Sequence, residues 1–139
     1  MDEVLLDTDV FSFLLRHEDT RASIYRPHIL DRIVVISYVT IGELYFWAVR
    51  RKWGAERLGL MEDTIRATTV ARYDLEVCRT YAHLKSALRN PSGSHKVIGD
   101  NDLWIAACAV RYGIPLVTHN RRHFDGIPGL NIISEAPQL

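Results

Sequence analysis

Residues 97–125, VIGDNDLWIAACAVRYGIPLVTHNRRHFD, constrain this chain more than any other stretch, because they describe a helix that hands over to a strand. Ile105, Cys108 and Ala109 recur at core spacing with Ala106 beside them, which predicts an amphipathic helix. Asp100 is the expected N-cap, and Asp102 would project from the first turn at the mouth of the helix. Gly113 can adopt the left-handed cap and Pro115 cannot continue the ladder, so the helix should end near Tyr112. Leu116-Val117 then reads as a short buried strand delivering Thr118, His119 and Asn120 to its C-terminal end. If that strand runs parallel to one carrying Asp7 at its own end, these polar residues meet at one edge of a sheet.

Two earlier runs have the matching profile. Val4-Leu5-Leu6 reads as an interior strand ending in Asp7-Thr8-Asp9, where Thr8 or Asp9 would cap a helix carrying Val10, Phe11, Phe13 and Leu14. Ile33-Val34-Val35-Ile36 ends in Ser37, and the helix of Leu44, Phe46, Trp47 and Val49 opens either there or at a Thr40–Glu43 capping box. Asp7 and Glu43 would each serve equally well as simple caps when taken alone. Pro27 interrupts one helical pattern, and Gly54 and Gly59 interrupt another. A helix is expected from Leu75 to Leu88, with weak strands at 68–70 and 130–133. Residues 89–99 contain Pro91, Ser92, Gly93 and Ser94, which predicts a connector in which His95 and Lys96 face solvent. Phe46, Trp47 and Trp53 are expected in the core. The order of elements predicts a single domain over residues 1–139, an α/β sandwich with a mostly parallel central sheet.

Composition narrows the function classes. The chain has 139 residues, 47% of them apolar, and no apolar run long enough to cross a membrane. Cys78 and Cys108 both sit in apolar helical patterns, and acids stand near the start where a signal peptide would need a basic segment, so the cytoplasm is the expected location. Seventeen basic residues balance 17 acidic ones. That balance disfavours a long DNA-coating surface and permits a local phosphate patch beside an acidic site. There is no Walker loop, no GxGxxG and no HExxH, and the cysteines make no zinc pattern.

Asp7, Glu43, Asp102 and Asn120 fall at the ends or starts of successive sheet–helix units. Gathered carboxylates repel and resist desolvation, so their convergence makes sense around a hard cation, Mg2+ or Mn2+, that can orient water and stabilise a phosphate under attack.

With LLDTDVF near the start, SYVTIGEL in the second unit and IGDNDLWIAACAVRYGIPLVTHNRRHF in the last, the chain resembles the PIN-domain nucleases, most closely the VapC-type toxins of toxin–antitoxin pairs. The resemblance implies a PIN-like three-layer sandwich and metal-dependent hydrolysis of RNA, tRNA or another structured RNA, leaving a 5′-phosphate and a 3′-hydroxyl. It assigns Asp7, Glu43 and Asp102 to the metal, with Asn120, Asp125 or Asp100 as a fourth or supporting residue. It leaves Thr8, Thr118, Arg121 and Arg122 for water or phosphate. His123 occupies the place before Phe124 where many relatives have Asp. The resemblance also implies a homodimer and a cognate VapB-like antitoxin, with apolar residues meeting the region of Phe11, Phe46 and Trp47. The competing readings are a nuclease for RNA processing or structured DNA, and a non-catalytic RNA-binding regulatory module.

Overall fold

The computed structural model describes residues 2–16, 19–88 and 98–137. The chain alternates strands and helices: β1 Glu3–Leu6, α1 Thr8–Leu14, α2 Thr20–Tyr25, β2 Ile33–Ile36, α3 Tyr38–Arg50, α4 Ala55–Arg66, β3 Thr69–Val70, α5 Leu75–Ala87, α6 Asp100–Tyr112, β4 Leu116–Val117, α7 Arg121–Phe124 and β5 Ile132–Ile133. The 3-10 turn Arg26–His28 contains Pro27, which breaks the helix as its ring requires.

The strands form one five-stranded sheet in the order β3-β2-β1-β4-β5, and every pair is parallel. Val4 pairs with Val34, and Leu5 and Leu6 pair with Leu116 and Val117, so the first strand lies at the centre. Because side chains alternate across a strand, Val4 and Leu6 join one core cluster and Leu5 the other. The first cluster holds Val10, Phe11 and Leu44 from α1 and α3; the second holds Val77, Leu84, Ile105 and Ala106 from α5 and α6. Helices therefore cover both faces of the sheet, which is why its strands are apolar without alternation. Among the described residues, no helix is long and apolar enough to cross a membrane.

The caps of three helices refine the sequence expectation. Asp7, not Thr8 or Asp9, caps α1 by accepting from Val10 N–H at 2.9 Å. Ser37 caps α3 by accepting from Thr40 N–H at 3.2 Å, which leaves Glu43 out of any capping box. Gly99 stands at the N-cap of α6, so Asp100 lies inside the helix. In each of the first two cases the oxygen of a short side chain, three residues before an orphan amide, reaches it without distorting the strand that precedes it. Gly113 closes α6 at φ 65°, as its lack of a Cβ permits. Phe46 departs from its expected core position: it is 63% exposed, while Phe11 is buried. His95 and Lys96 lie outside the described residues.

Candidate active site at the C-terminal edge of the sheet

The central strand fixes the first acid. Asp7 N–H donates to the Val117 carbonyl at 3.0 Å, which holds its backbone in the ladder between β1 and β4. Its side chain then turns into the interior, 4% exposed, where Oδ1 accepts from Val10 N–H and Oδ2 accepts a short bond from the Thr118 hydroxyl. Burial pushes the Asp7 carboxyl up to about 7; the bonds from Thr118 and Val10 oppose that rise, and the charges of Asp9 and Asp102 add to it.

The next residue reaches across to α3. The Thr8 hydroxyl donates to Glu43 Oε1 at 2.7 Å and lies 3.0 Å from the Thr40 hydroxyl. A hydroxyl has one hydrogen, so Thr40 is the donor in that second contact. Glu43 is half-buried and its carboxyl is raised by that burial, with Asp102 and Asp9 adding to the rise and Thr8 and Asn101 bonds opposing it. Asp102, in the first turn of α6, is raised by burial and by Asp9 and lowered by His123, whose Nδ1 lies 3.2 Å from Oδ2.

Asp7, Glu43 and Asp102 thus share one electrostatic environment, and Asp9 belongs to it as a fourth member. Sequence reasoning gave Asp9 only a capping role. The signal was its i+2 spacing from Asp7, which, at the turn from strand into helix, keeps two acids on the same edge. Asn120 follows the buried Thr118; its N–H donates to Thr118 Oγ1 at 3.0 Å and its Nδ2 donates to Asp9 Oδ2 at 2.6 Å. Among the described residues, the ion pairs include His123 with Asp102, and none joins a Lys or Arg to Asp7, Asp9 or Glu43.

The remaining candidates separate. Asp100 turns toward the Tyr81 hydroxyl and Lys85 Nζ, the latter at 3.7 Å, and so stands apart from the cluster. Asp125 is exposed at the end of α7 and lies 3.8 Å from Arg121 Nη1. Arg121 also points Nη2 at the Ile132 carbonyl, 3.5 Å away. Arg122 is exposed. A groove of about 460 Å³ is lined by His119, Asn120, Arg121, Arg122, His123 and Asp125 among others. It abuts the acids at Asn120 and His123. A second hollow, about 390 Å³, lies beside Glu43 between Val39, Phe46, Trp47 and Asn101.

The donor chemistry suits a hard divalent ion: carboxylate oxygens, desolvated, mutually repelling, and, among the described residues, joined to no Lys or Arg, His123 beside Asp102 being the basic side chain that approaches them. The arrangement differs from a finished ligand set in one respect. Among the described residues, no three His, Cys, Asp or Glu side chains stand grouped to hold a single metal ion; Asp7 and Glu43 are instead held by the hydroxyls of Thr118 and Thr8.

The PIN domain family matches residues 4–130 of the chain. The Sinorhizobium fredii protein named VapC ribonuclease Y4jK is 30% identical over 138 residues, spanning 94% of this chain and 96% of that protein. Ribonuclease VapC2 of Haemophilus influenzae is 28% identical over 137 residues, with 94% and 96% covered. Among solved structures, DNA-bound VapBC from Salmonella typhimurium superposes with a TM-score of 0.78 at 26% identity, covering 96% of this chain and 98% of that one.

Proposed function

Because this chain belongs to the PIN-domain family and is homologous to the VapC toxins of type II toxin–antitoxin systems, we propose that it is a divalent-metal-dependent endoribonuclease acting on tRNA or another structured RNA. The observation that carries the reading is the meeting of Asp7, Glu43 and Asp102, from three different sheet–helix units, in one electrostatic environment. Residues 1–139 act as one nuclease domain. Asp7, Glu43 and Asp102 hold Mg2+ or Mn2+, with Asp9 and Asn120 beside them. When bound, the ion supplies an activated water and charge stabilisation at the phosphate.

The chain's own residues do the rest. Thr8 orients Glu43, and Thr118 orients Asp7, so each acid is presented in a fixed direction rather than a mobile one. Asn120 restrains Asp9. Arg122, exposed on the groove, meets the RNA backbone; Arg121 is drawn toward Asp125 and the Ile132 carbonyl and contributes less. Asp100, tied to Tyr81 and Lys85, has no place in the metal set.

A VapB-like antitoxin and a second copy of the chain are the proposed partners. The solved relative from Salmonella typhimurium is a VapBC complex, and here the exposed Phe46 beside half-buried Trp47 offers apolar surface next to Glu43. The rival reading, an RNA-binding module without turnover, draws on the lack, among the described residues, of three such side chains spaced to hold one metal ion. One experiment separates them: total cellular RNA is digested by purified protein with Mg2+, with Mn2+ or with chelator, beside an Asp7→Asn control, and new 5′ ends are sequenced. Discrete metal-dependent ends that vanish in the control support the nuclease. RNA that is bound and left intact under every condition rejects it.

A further inference from the structure

The groove beside the acids carries a histidine that the nuclease reading leaves unused. His119 follows Thr118 at the end of β4, and two aromatic rings clamp it edge-on: Phe13, with centroids 5.7 Å apart, and Tyr25, at 5.6 Å. Its Nδ1 lies 2.7 Å from the Tyr25 hydroxyl. Tyr25 is fully buried. Its hydroxyl accepts from the Glu135 backbone N–H at 3.0 Å and also bonds with the Ser134 side chain. A phenol has a single proton to donate. The Thr118 carbonyl is 3.3 Å away, beyond the usual O–H···O range, so the proton goes to His119 Nδ1. In its neutral form the imidazole then carries its own hydrogen on Nε2.

Three parts of the chain, the end of α2, the end of β4 and the segment after β5, thus cooperate to fix one tautomer. The ring they fix forms a wall of the 460 Å³ groove. Nδ1 is committed to Tyr25, so Nε2–H is the ring's donor for a ligand. The same groove contains Arg122 and touches the acid cluster at Asn120, bonded to Asp9, and at His123, beside Asp102. A ligand seated there meets the His119 ring and the Arg122 guanidinium, with the Asp125 carboxylate of the lining 3.8 Å from Arg121 Nη1, while the neighbouring centre is acidic. A phosphodiester, charged and rich in acceptors with no proton of its own to give, suits that wall.

We propose that His119 is an Nε2–H donor to a non-bridging oxygen of the RNA phosphodiester adjoining the one cut, and that Tyr25 is the positioning residue that holds its Nδ1 as an acceptor. The inference rests on the nuclease reading and deepens it, since it names how the substrate is gripped beside the reacting phosphate. His119 touches substrate; Tyr25 acts only through His119.

Two measurements test it. Long-range proton–nitrogen spectra of the neutral imidazoles report which ring nitrogen carries hydrogen, without reference to activity. Nε2–H is expected for His119 in the wild-type protein, and a mixture of tautomers in Tyr25→Phe; Nδ1–H in the wild type overturns the proposal. Cleavage kinetics follow, using oligoribonucleotides that each carry one methylphosphonate, a linkage lacking one charged oxygen. His119→Ala should raise KM about tenfold with kcat nearly unchanged, the loss of one hydrogen bond to a charged acceptor, and Tyr25→Phe should raise it less, in proportion to the share of the ring that leaves the Nε2–H tautomer. At one linkage next to the cut, the methylphosphonate should weaken wild type by about tenfold and weaken His119→Ala no further. Penalties that multiply at every linkage, or an unchanged KM in both variants, sink this proposal while leaving the nuclease intact. If wild-type protein fails to cleave RNA, or Asp7→Asn cleaves as well as wild type, the nuclease reading falls and this one with it. Should Tyr25→Phe unfold, the wild-type spectrum and the His119→Ala comparison still decide.

Discussion

Replacing Asp7 by Asn should make the metal-free protein more stable while removing its turnover. Proton linkage sets the size of the effect. Asp7 is 4% exposed and its carboxyl is raised to about 7 in the fold, against an ordinary value of 3.8. Well below pH 3.8 the side chain is protonated both folded and unfolded, and it contributes no pH dependence. As pH climbs toward 7 the unfolded chain ionises freely while the folded one stays protonated, so the fold progressively loses stability. Above 7 the full cost is present. Roughly three units at 1.36 kcal/mol each set a ceiling of about 4 kcal/mol. Asn retains the acceptor for Val10 N–H and can donate through its amide to the Thr118 oxygen, so its own cost is small. Glu43 and Asp102, also raised, remain in both proteins, and the difference between the two curves belongs chiefly to Asp7. The assay is urea unfolding in chelator from pH 4 to pH 8, read by circular dichroism. The variant should match wild type at pH 4 and exceed it by about 2–4 kcal/mol at pH 8. Equal stability at pH 8, or a difference between the two curves that does not grow as pH rises, would refute the claim that burial confines this charge.

Other consequences follow from the same geometry. Thr8→Val removes the hydroxyl that orients Glu43; RNA turnover should fall at least about tenfold while stability changes by no more than about 2 kcal/mol, measured by kinetics and denaturation together. Phe124, 1% exposed, anchors α7 to the core; Phe124→Ala should cost about 3–5 kcal/mol of unfolding free energy. Lys52 sits at φ 52° just past α3, where Trp53 N–H bonds back to the Ala48 carbonyl at 2.9 Å; Lys52→Gly should stabilise by about 1 kcal/mol, visible as a Tm increase, and a lower Tm would contradict the strain assigned there.

The architecture is legible in the sequence because the strong signals are local. Val4–Leu6, Ile33–Ile36 and Leu116–Val117 are apolar runs ended by polar residues, and Gly113 marks a helix end that few other residues can form. Those features by themselves bring Asp7, Thr118 and Asn120 to one sheet edge. What stays hidden depends on contacts between distant segments. Which of Asp7, Thr8 and Asp9 caps α1 is a choice among alternatives that differ by about 1 kcal/mol, and the hydroxyl of Thr118, just past β4, takes part in it. The participation of Asp9 depends on Asn120 facing it from more than a hundred residues away, at a position that helix and strand periodicity do not specify. His123, which by the resemblance looks like a gap in the acid set, is brought by the fold against Asp102. Phe46 escapes the pattern because helical periodicity describes one packed face, whereas α3 keeps Leu44 and Ala48 inside and leaves Phe46 outside.

The placement of the first strand between two later ones has a consequence for the order of synthesis. Asp7 leaves the ribosome well ahead of the hydroxyl that orients it, which lies 111 positions downstream. Thr118 is itself pinned by its N–H to the Ile133 carbonyl, 3.0 Å away. A nascent chain arrested short of Ile133 would therefore expose its acids without the frame that aims them, and should be inert toward RNA in a stalled-ribosome cleavage assay. Dormancy during translation would then be inherent in the strand order, before any inhibitor is made.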